Sequence, residues 1–424
     1  MFKKIIYFLV FAFLLILSTG LVKKNEAHLK KYVNRFIWPY TPLKIQYFLK
    51  ILYDDRFLKQ FQNDYNVKFL PETQLVKINF KKKKLDFLTE RRDNIYNKNT
   101  VRKSFQIEFI EDNKAWIIDN AGFISELSLE EVLSSKNEKI EYKQITSNIN
   151  PEQILDSFIH EGIIYLSFVS LKNQCYKFNI YKAKINKNSL NFDSFFTPDE
   201  CNKTIIQGGR MQHYIHKNKN GLLFTIGDSS NPDFNNDNSQ KLNSIFGKIL
   251  FKSFNDDSDY TLFSLGHRNP QGLYVDKDLI LSTEHGPKGG DEINSINFNK
   301  NYGWPISSYG ESYFKDGQLT YKKDHLSHGF KEPVFSFLPA IGISEIIKLP
   351  NNFTPFWKDN FILSSLNGNS LYRIKFNEKF DKIILNEKIY IGERIRDLKY
   401  SKKLKTIFLA LESEGNLGVF SLKN

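Results

Sequence analysis

The chain has 424 residues, of which 41% are hydrophobic and 25% charged, and its formal net charge is +13. This composition argues against disorder, and the length predicts either two domains or one large domain built from repeats. The one dense basic block, residues 81–84, lacks the interleaved aromatic residues of an RNA-binding platform. We therefore expect a solvated basic exterior and no nucleic-acid partner.

The N-terminus carries a targeting signal. Lys3 and Lys4 precede a nearly unbroken apolar run over residues 5–17, and weaker apolarity continues until Lys23 and Lys24. A cleaved signal peptide and an uncleaved anchor both fit this pattern, and the lack of an obvious cleavage site favours the anchor. We expect residues 1–24 to contact the membrane and the rest to be exported. The predicted location is the cell envelope, anchored in the inner membrane and facing the periplasm or exterior.

Residues 25–105 form an irregular, basic and aromatic segment. Residues 43–65 have helix-like apolar spacing, whereas residues 75–87 alternate as a strand does. We interpret the segment as a short α/β extension, either a stalk or a lid on the main domain.

From residue 106 onward, short β-rich runs separated by turn residues dominate. Six runs share one shape, several apolar residues followed by small or polar ones and often by glycine. They occupy residues 115–122, 163–170, 222–229, 279–286, 361–368 and 407–415. Their starts are 48, 59, 57, 82 and 46 residues apart, and a four-stranded propeller blade needs roughly 40–50 residues.

These runs predict that residues 106–424 form an all-β, six-bladed β-propeller. An apolar strand can lie buried between blades, and its polar end then reaches the mouth of the central channel. A β-sandwich with six such widely spaced strands would leave too much connecting chain. The 82-residue gap predicts a long inserted loop near residues 304–335.

Cys175 and Cys201 are the two cysteines, and no Cys-x-x-Cys pair exists that would indicate a zinc or redox motif. They fit either one disulfide in an oxidising compartment or two buried thiols.

Three sequence motifs contain the highest density of polar, charged and glycine residues. They are GHRNPQGL at residues 266–273, EHGPKGGDEIN at 284–294 and NYGWP at 301–305. Arg268 supplies a planar fork that suits a carboxylate. Gly286 and Pro287 can turn backbone carbonyls toward a hard cation, and Asp291 and Glu292 are further candidate ligands. The bland alternative is a structural loop with a glycine-rich turn.

Together the three motifs resemble those of the glucose/sorbosone dehydrogenase family, which includes the soluble aldose sugar dehydrogenases. The resemblance extends more weakly over residues 106–424, with RIRD at 394–397 similar to the last blade. It implies an oxidoreductase that holds pyrroloquinoline quinone and Ca²⁺ at the channel mouth and oxidises a sugar at C1. Arg268, Asn269, Arg394 and Arg396 match quinone-contacting positions. The carbonyls of Gly286 and Pro287 match the calcium ligands.

The sequence departs from the family pattern at the general base. The family has histidine at the first position of an H-x-G-G-R motif, where this chain has Ile206 in IQGGR. Isoleucine accepts no proton, and proton removal needs a base within hydrogen-bond reach. Asp228 matches the carboxylate that orients the family's histidine and is the remaining candidate catalytic group.

Four histidines are possible substitutes for the missing base. Strand alternation and the distance from Ile206 argue against His213 and His216, whereas His267 and His285 lie within the motifs shared with the family. A second departure is Asn367, at a cofactor-contacting position where the family usually has lysine.

The departures leave three functional hypotheses open. The first is a quinone-dependent sugar dehydrogenase, and the second is a non-catalytic envelope propeller that binds a sugar, a polysaccharide or a protein partner. The third is a purely structural anchor protein, for which the sequence offers no partner-binding signature.

Overall fold

Six mainly antiparallel sheets of four or five strands follow one another along the chain, and residues 91–93 and 100–102 form a seventh, two-stranded sheet. The computed structural model describes residues 77–93, 100–135, 140–228, 238–255, 260–312 and 321–422. The predicted anchor over residues 1–24 and the helix-like residues 43–65 lie outside the described residues. All of the described residues belong to one compact unit, Val67–Asn424.

The strands are numbered in chain order. Those before residue 148 are β1 (Ile78–Lys84), β2 (Arg91–Asp93), β3 (Thr100–Arg102), β4 (Phe105–Glu111), β5 (Lys114–Asp119), β6 (Ile124–Ser128) and β7 (Lys143–Ser147). Those up to residue 265 are β8 (Gln153–His160), β9 (Ile163–Lys172), β10 (Cys175–Lys184), β11 (Ser189–Leu190), β12 (Asp193–Phe196), β13 (Cys201–Asn202), β14 (Gly208–His216), β15 (Lys219–Ile226), β16 (Lys248–Ser253) and β17 (Thr261–Leu265).

The remaining strands are β18 (Pro270–Asp276), β19 (Leu279–Glu284), β20 (Asp291–Ser295), β21 (Lys300–Asn301), β22 (Phe335–Phe337), β23 (Ile343–Lys348), β24 (Asn360–Ser365), β25 (Ser370–Phe376), β26 (Ile383–Tyr390), β27 (Ile395–Ser401), β28 (Thr406–Leu411) and β29 (Asn416–Leu422). Within the described ranges there is one α-helix, α1 (Leu129–Ser134), and there are 3-10 turns at Asn238–Gln240, Leu326–His328 and Pro355–Trp357.

Each of the six sheets is one propeller blade. The strand orders are β4-β5-β6-β7-β11 in blade 1, β8-β9-β10-β12 in blade 2 with β13 also on β10, β14-β15-β16-β17-β21 in blade 3, β18-β19-β20-β22 in blade 4, β23-β24-β25-β26 in blade 5 and β27-β28-β29-β1 in blade 6. The first of these strands in each blade contacts its counterpart in the next blade, and β27 contacts β4 to close the ring. The predicted six-bladed propeller is therefore confirmed.

The six runs found in the sequence correspond to β5, β9, β15, β19, β24 and β28, one in each blade. They are the second strands rather than the innermost ones. Their apolar character reflects burial between blades, as for Trp116 of β5, which packs with Ile164 and Leu166 of β9. Burying one large apolar side chain stabilises the fold by about 1.5–3 kcal/mol.

The ring closes through the two ends of the described chain. Strand β1 pairs antiparallel with β29, from Ile78 opposite Leu422 to Lys84 opposite Asn416. The alternation of residues 75–87 correctly predicts a strand, and this strand pairs with the last strand of the propeller. The lysines of residues 81–84 lie on this outer edge strand, where charge discourages pairing with another chain. The division into domains at residue 106 remains a prediction.

The long insertion lies within blade 4. Between β20 and β22 the chain leaves the blade, adds β21 to blade 3 and continues through the 3-10 turn at Leu326–His328. This confirms the loop predicted from the 82-residue gap and brings Trp304 close to the strand ends of blades 3 and 4.

Candidate functional site

Carboxylates stand at or just after the ends of four second strands, at one end of the propeller. Asp119 accepts hydrogen bonds from the backbone amides of Ala121 and Phe123, at 3.0 and 2.9 Å. Asp228, Glu284 and Glu412 occupy similar places in blades 3, 4 and 6. Because a buried carboxylate needs partners, these residues fix the loops that bear the candidate site.

Glu412 joins the two arginines of the last blade. Its Oε1 accepts from Arg394 Nε at 2.6 Å and its Oε2 from Arg396 Nε at 2.8 Å, and Arg102 lies 3.8 Å away. Burial alone would raise the pKa of Glu412, but Arg396 and Arg394 lower that pKa to about 2. The carboxylate therefore stays ionised and fixes both guanidinium groups.

A chain of side-chain hydrogen bonds connects blade 6 with blades 4 and 3. Arg396 Nη1 donates to Gln271 Oε1 at 3.0 Å, and Gln271 Nε2 donates to Asn269 Oδ1 at 2.7 Å. Asn269 Nδ2 in turn donates to Gln207 Oε1. The predicted cofactor positions Asn269 and Arg396 therefore belong to one network, which crosses the hub through two residues that the sequence analysis did not identify.

Arg268 lies over the turn that contains the predicted calcium ligands. Its Nη1 donates to the carbonyl oxygens of His285 at 3.0 Å and of Gly286 at 2.8 Å. Its guanidinium carbon is 5.3 Å from the centre of the Trp304 ring. Pro287 is buried and packs beside Gly310.

The backbone around Arg268 is fixed from both sides. Its amide donates to Glu284 Oε1, and its carbonyl accepts from the amide of Asp228 at 2.7 Å. The Asp228 side chain accepts from Trp304 Nε1 at 2.6 Å. Asp228, predicted to orient a base, thus holds the indole beneath the Arg268 guanidinium.

His285 lies within electrostatic range of the three predicted arginines. Burial and the charges of Arg268, Arg396 and Arg394 lower its pKa to about 3, and a backbone hydrogen bond to Ile343 only partly opposes this. Asn269 Nδ2 is 3.2 Å from His285 Nδ1. A neutral imidazole with so low a pKa is a poor general base near neutral pH.

His267 has a structural role. Its Nε2 is 2.8 Å from Ser264 Oγ and its Nδ1 is 3.0 Å from Glu284 Oε2, and its ring stacks on Tyr302 at 4.7 Å. Both ring nitrogens are therefore engaged inside the blade, and the imidazole is fully buried.

The position of the family's base is apolar. Ile206 is fully buried in a cluster with Leu155, Met211 and Ile226. His213 and His216 lie toward the far end of β14, and a strand rise of about 3.3 Å per residue puts His213 roughly 17 Å along the strand from its start.

Arg210 belongs to the same IQGGR motif and forms a buried ion-pair cluster, the ionic hub, deeper in the channel. Its Nη1 lies 3.0 Å from Asp156, 2.8 Å from Glu345 and 3.4 Å from Asp397, which come from blades 2, 5 and 6. Its Nη2 donates to the Arg396 carbonyl at 2.9 Å. Arg210 thus connects the blades below the candidate site, a role that the sequence alone did not reveal.

Two cavities accompany these residues in the described part of the molecule. A cavity of about 540 Å³ lies beyond the Arg210 hub and is lined by residues such as Tyr274, Glu345 and Lys399. A cavity of about 10 Å³ touches Arg268, Gly286 and Trp304. The smaller one is the one that adjoins the predicted cation position.

Asn367 is exposed in the bend after β24, where the amide of Gly368 donates to the carbonyl of Ile341 at 2.7 Å.

Across the described ranges, no group of three or more His, Cys, Asp or Glu side chains could hold a metal ion. In the same ranges, no helix has the length and apolarity needed to cross a membrane.

Comparison with known proteins places the chain in a family. The family model for glucose/sorbosone dehydrogenase matches residues 101–419, so the chain belongs to the glucose/sorbosone dehydrogenase family. Aldose sugar dehydrogenase YliI of Escherichia coli is 30% identical over 167 residues, which are 38% of this chain and 44% of that protein. An uncharacterized Synechocystis protein is 30% identical over 221 residues, 46% of this chain and 52% of that protein. The chain thus spans about half the length of the curated relatives it matches.

Solved structures agree with the fold. The soluble aldose sugar dehydrogenase of Escherichia coli in its apo form has a TM-score of 0.63 at 19% identity, covering 82% of this chain and all of that one. The quinone-bound aldose sugar dehydrogenase of Streptomyces coelicolor has a TM-score of 0.55 at 17% identity, covering 81% and 99%. At such identities the likeness shows the fold alone.

Proposed function

We propose that this protein binds pyrroloquinoline quinone with a divalent cation at the loop end of the hub and is built to oxidise a sugar at C1. One arrangement supports this most strongly: Glu412 holds the guanidinium groups of Arg394 and Arg396 side by side, and Arg396 is linked through Gln271 to Asn269. Guanidinium groups that converge in this way suit a ligand with several carboxylates.

The residues present fit both implied groups. Arg394 and Arg396, fixed by Glu412, would pair with carboxylates, and Asn269 would offer its amide. The carbonyl of Gly286 would bind the cation, since hard cations prefer oxygen ligands. When bound, the quinone supplies the hydride-accepting chemistry, and this chain's residues hold it and keep His285 neutral beside it.

The missing base limits the catalytic part of the proposal. A proton must leave the sugar hydroxyl, and the family's base position holds Ile206 in an apolar cluster. Asp228 is the carboxylate expected to take this role. Removing a general base typically costs 10²–10⁴-fold in rate, so we expect the native chain to be a slow enzyme.

Reconstitution tests the proposal. The purified protein is mixed with quinone and Ca²⁺, and dye reduction is followed with a panel of aldoses. Slow reduction that Ile206→His raises, with Ile226→His as a control from the same apolar cluster, would support it. Bound quinone without reduction by the native chain or by Ile206→His would contradict the dehydrogenase function.

The burial of Ile206 also motivates a second candidate, a non-catalytic propeller that binds a sugar, a polysaccharide or a protein partner. Thermal-shift measurements with glycans and with quinone separate the two, because a ligand that binds the folded state raises its stability. Stabilisation by glycans alone would favour this second candidate, whereas strong stabilisation by quinone would oppose it.

We further propose that the protein is exported and tethered to the membrane by residues 1–24, with the propeller in the periplasm or outside the cell. Support comes from Cys175 and Cys201, which form a disulfide between β10 and β13, since such bonds persist in oxidising compartments. Protease accessibility in intact spheroplasts tests this location. Protection of the propeller from the protease would contradict it.

A further inference from the structure

The Arg268 guanidinium contacts the carbonyl that the family resemblance assigns to a cation. Two backbone carbonyls, those of His285 and Gly286, converge on its Nη1 at 3.0 and 2.8 Å. We propose that this guanidinium is an internal stand-in for the divalent cation, so that the cation binds at Gly286 only when the Arg268 side chain swings away. This inference rests on the proposed function and deepens it.

The backbone at Gly286 is anchored through its amide. Its amide donates to Asp291 Oδ1 at 3.1 Å, while Asp291 Oδ2 accepts from the amides of Ile341 and Ile343 at 2.8 and 3.1 Å. A Cβ on Gly286 would lie 2.2 Å from the carbonyl oxygen of Gly290, so only glycine fits. The turn is therefore anchored at the Gly286 amide, and the partly buried guanidinium is the partner with the greater freedom to move.

The Arg268 side chain can move without moving its backbone. Its amide and carbonyl are bound to Glu284 and Asp228, as described above, but its guanidinium is only partly buried and rests on the face of Trp304. Rotation about the side-chain bonds would release the two carbonyls. A guanidinium and a divalent cation cannot share one carbonyl, because like charges at such short range repel strongly.

This exchange would couple cation binding to anion binding. A displaced guanidinium would remain near Asn269, which contacts the His285 ring at 3.2 Å and is linked through Gln271 to Arg396. Cation binding would then free Arg268 for the carboxylates of the quinone. A ligand that shifts a two-state element in this way raises the affinity of its partner ligand.

Terbium luminescence tests the proposal without any enzymatic turnover. Tb³⁺ at Gly286 would lie close to the Trp304 indole, which would sensitise its emission, and Ca²⁺ competition gives the calcium affinity. We expect Arg268→Met to tighten Ca²⁺ binding by about tenfold or more, and Arg268→Lys to give a smaller increase. Trp304→Phe should abolish the signal and thereby assign it to this place.

Three results would overturn the proposal: unchanged or weaker Ca²⁺ binding in Arg268→Met, no Tb³⁺ binding in any variant, or emission that persists in Trp304→Phe. If Arg268→Met does not fold, a crystal structure of the native protein with Ca²⁺ decides instead. The account predicts that Arg268 then no longer contacts Gly286, and an intact contact beside bound Ca²⁺ would refute it.

Quinone binding at saturating Ca²⁺ is measured separately by absorbance. We expect Ca²⁺ to strengthen quinone binding in the native chain and to have a smaller effect in Arg268→Met. Tighter Ca²⁺ binding in Arg268→Met without any quinone binding would contradict only the proposed function. Quinone binding with unchanged Ca²⁺ affinity would contradict only the displacement of Arg268.

Discussion

Replacing Glu412 by glutamine tests the electrostatics of the hub. Glu412 is fully buried and is the carboxylate partner of Arg394 and Arg396, with Arg102 a further charge nearby. Glutamine keeps the volume of the side chain and one acceptor but removes the charge. The guanidinium groups would then lie partly buried without their shared counter-ion, which is costly.

The size of the effect follows from the pKa of Glu412, which is lowered from 4.5 to about 2. Each pKa unit corresponds to about 1.4 kcal/mol, so the ionised carboxylate stabilises the folded state by about 3 kcal/mol. Because the pKa is lower in the folded state, this stabilisation is present above pH 4.5. It is lost as the pH falls toward 2.

Urea unfolding of the native protein and of Glu412→Gln between pH 7 and pH 3 measures this term. We expect the variant to be about 3 kcal/mol less stable at pH 7, and the difference to shrink below pH 4.5. Glu131→Gln, at an exposed position of α1, is the matched control and should change little. A loss below about 1 kcal/mol at pH 7, or a loss that does not depend on pH, would refute the reasoning.

Three further predictions concern the ring closure, the disulfide and the imidazole. Removing residues 1–84 deletes β1 and opens the edge of β29, so we expect aggregation and a lower melting temperature than after removal of residues 1–76; equal melting would contradict the closure. Replacing both Cys175 and Cys201, 26 residues apart, by serine should cost about 3 kcal/mol in guanidinium unfolding, and an unchanged midpoint would argue against the bond. In an NMR titration His285 should stay neutral until the pH nears 3, and stability should fall from pH 6.5 downward because only the unfolded imidazole takes up the proton; a midpoint near 6.5 would show that the arginines do not act on it.

Much of the fold could be predicted because repetition is visible in the sequence. The second strand of each blade is buried on both sides and therefore reads as an apolar run, and the six runs predicted six blades. The innermost strands were harder to recognise. Strand β27, for example, carries Arg396, Asp397 and Lys399 among its apolar residues, because it faces a polar channel.

The contribution of residues 78–84 could not be predicted from local sequence. Alternation indicated a strand, but its partner β29 lies more than 300 residues away. Pairing of this kind depends on the closure of the whole ring, which no short pattern records. The same limitation hid the ionic hub, since Arg210 meets carboxylates from three other blades.

The structure brings some of the predicted site residues together. The charges of Arg268, Arg394 and Arg396 together lower the pKa of His285, and Asn269 is joined to Arg396 through Gln271. Arg268 contacts Gly286, an interaction that the sequence could not reveal because it depends on the side-chain conformation. The motif IQGGR has Ile206 where the family has histidine. The structure shows that Ile206 lies in an apolar cluster between blades 2 and 3.

The central claim is that the hub of this propeller gathers guanidinium groups for a ligand with several negative charges. A crystal structure of the protein grown with pyrroloquinoline quinone and Ca²⁺ tests it most directly. The account predicts quinone carboxylates against Arg394 and Arg396, with the cation at the carbonyl of Gly286. Quinone bound elsewhere, or a hub that stays empty at saturating quinone, would contradict the claim.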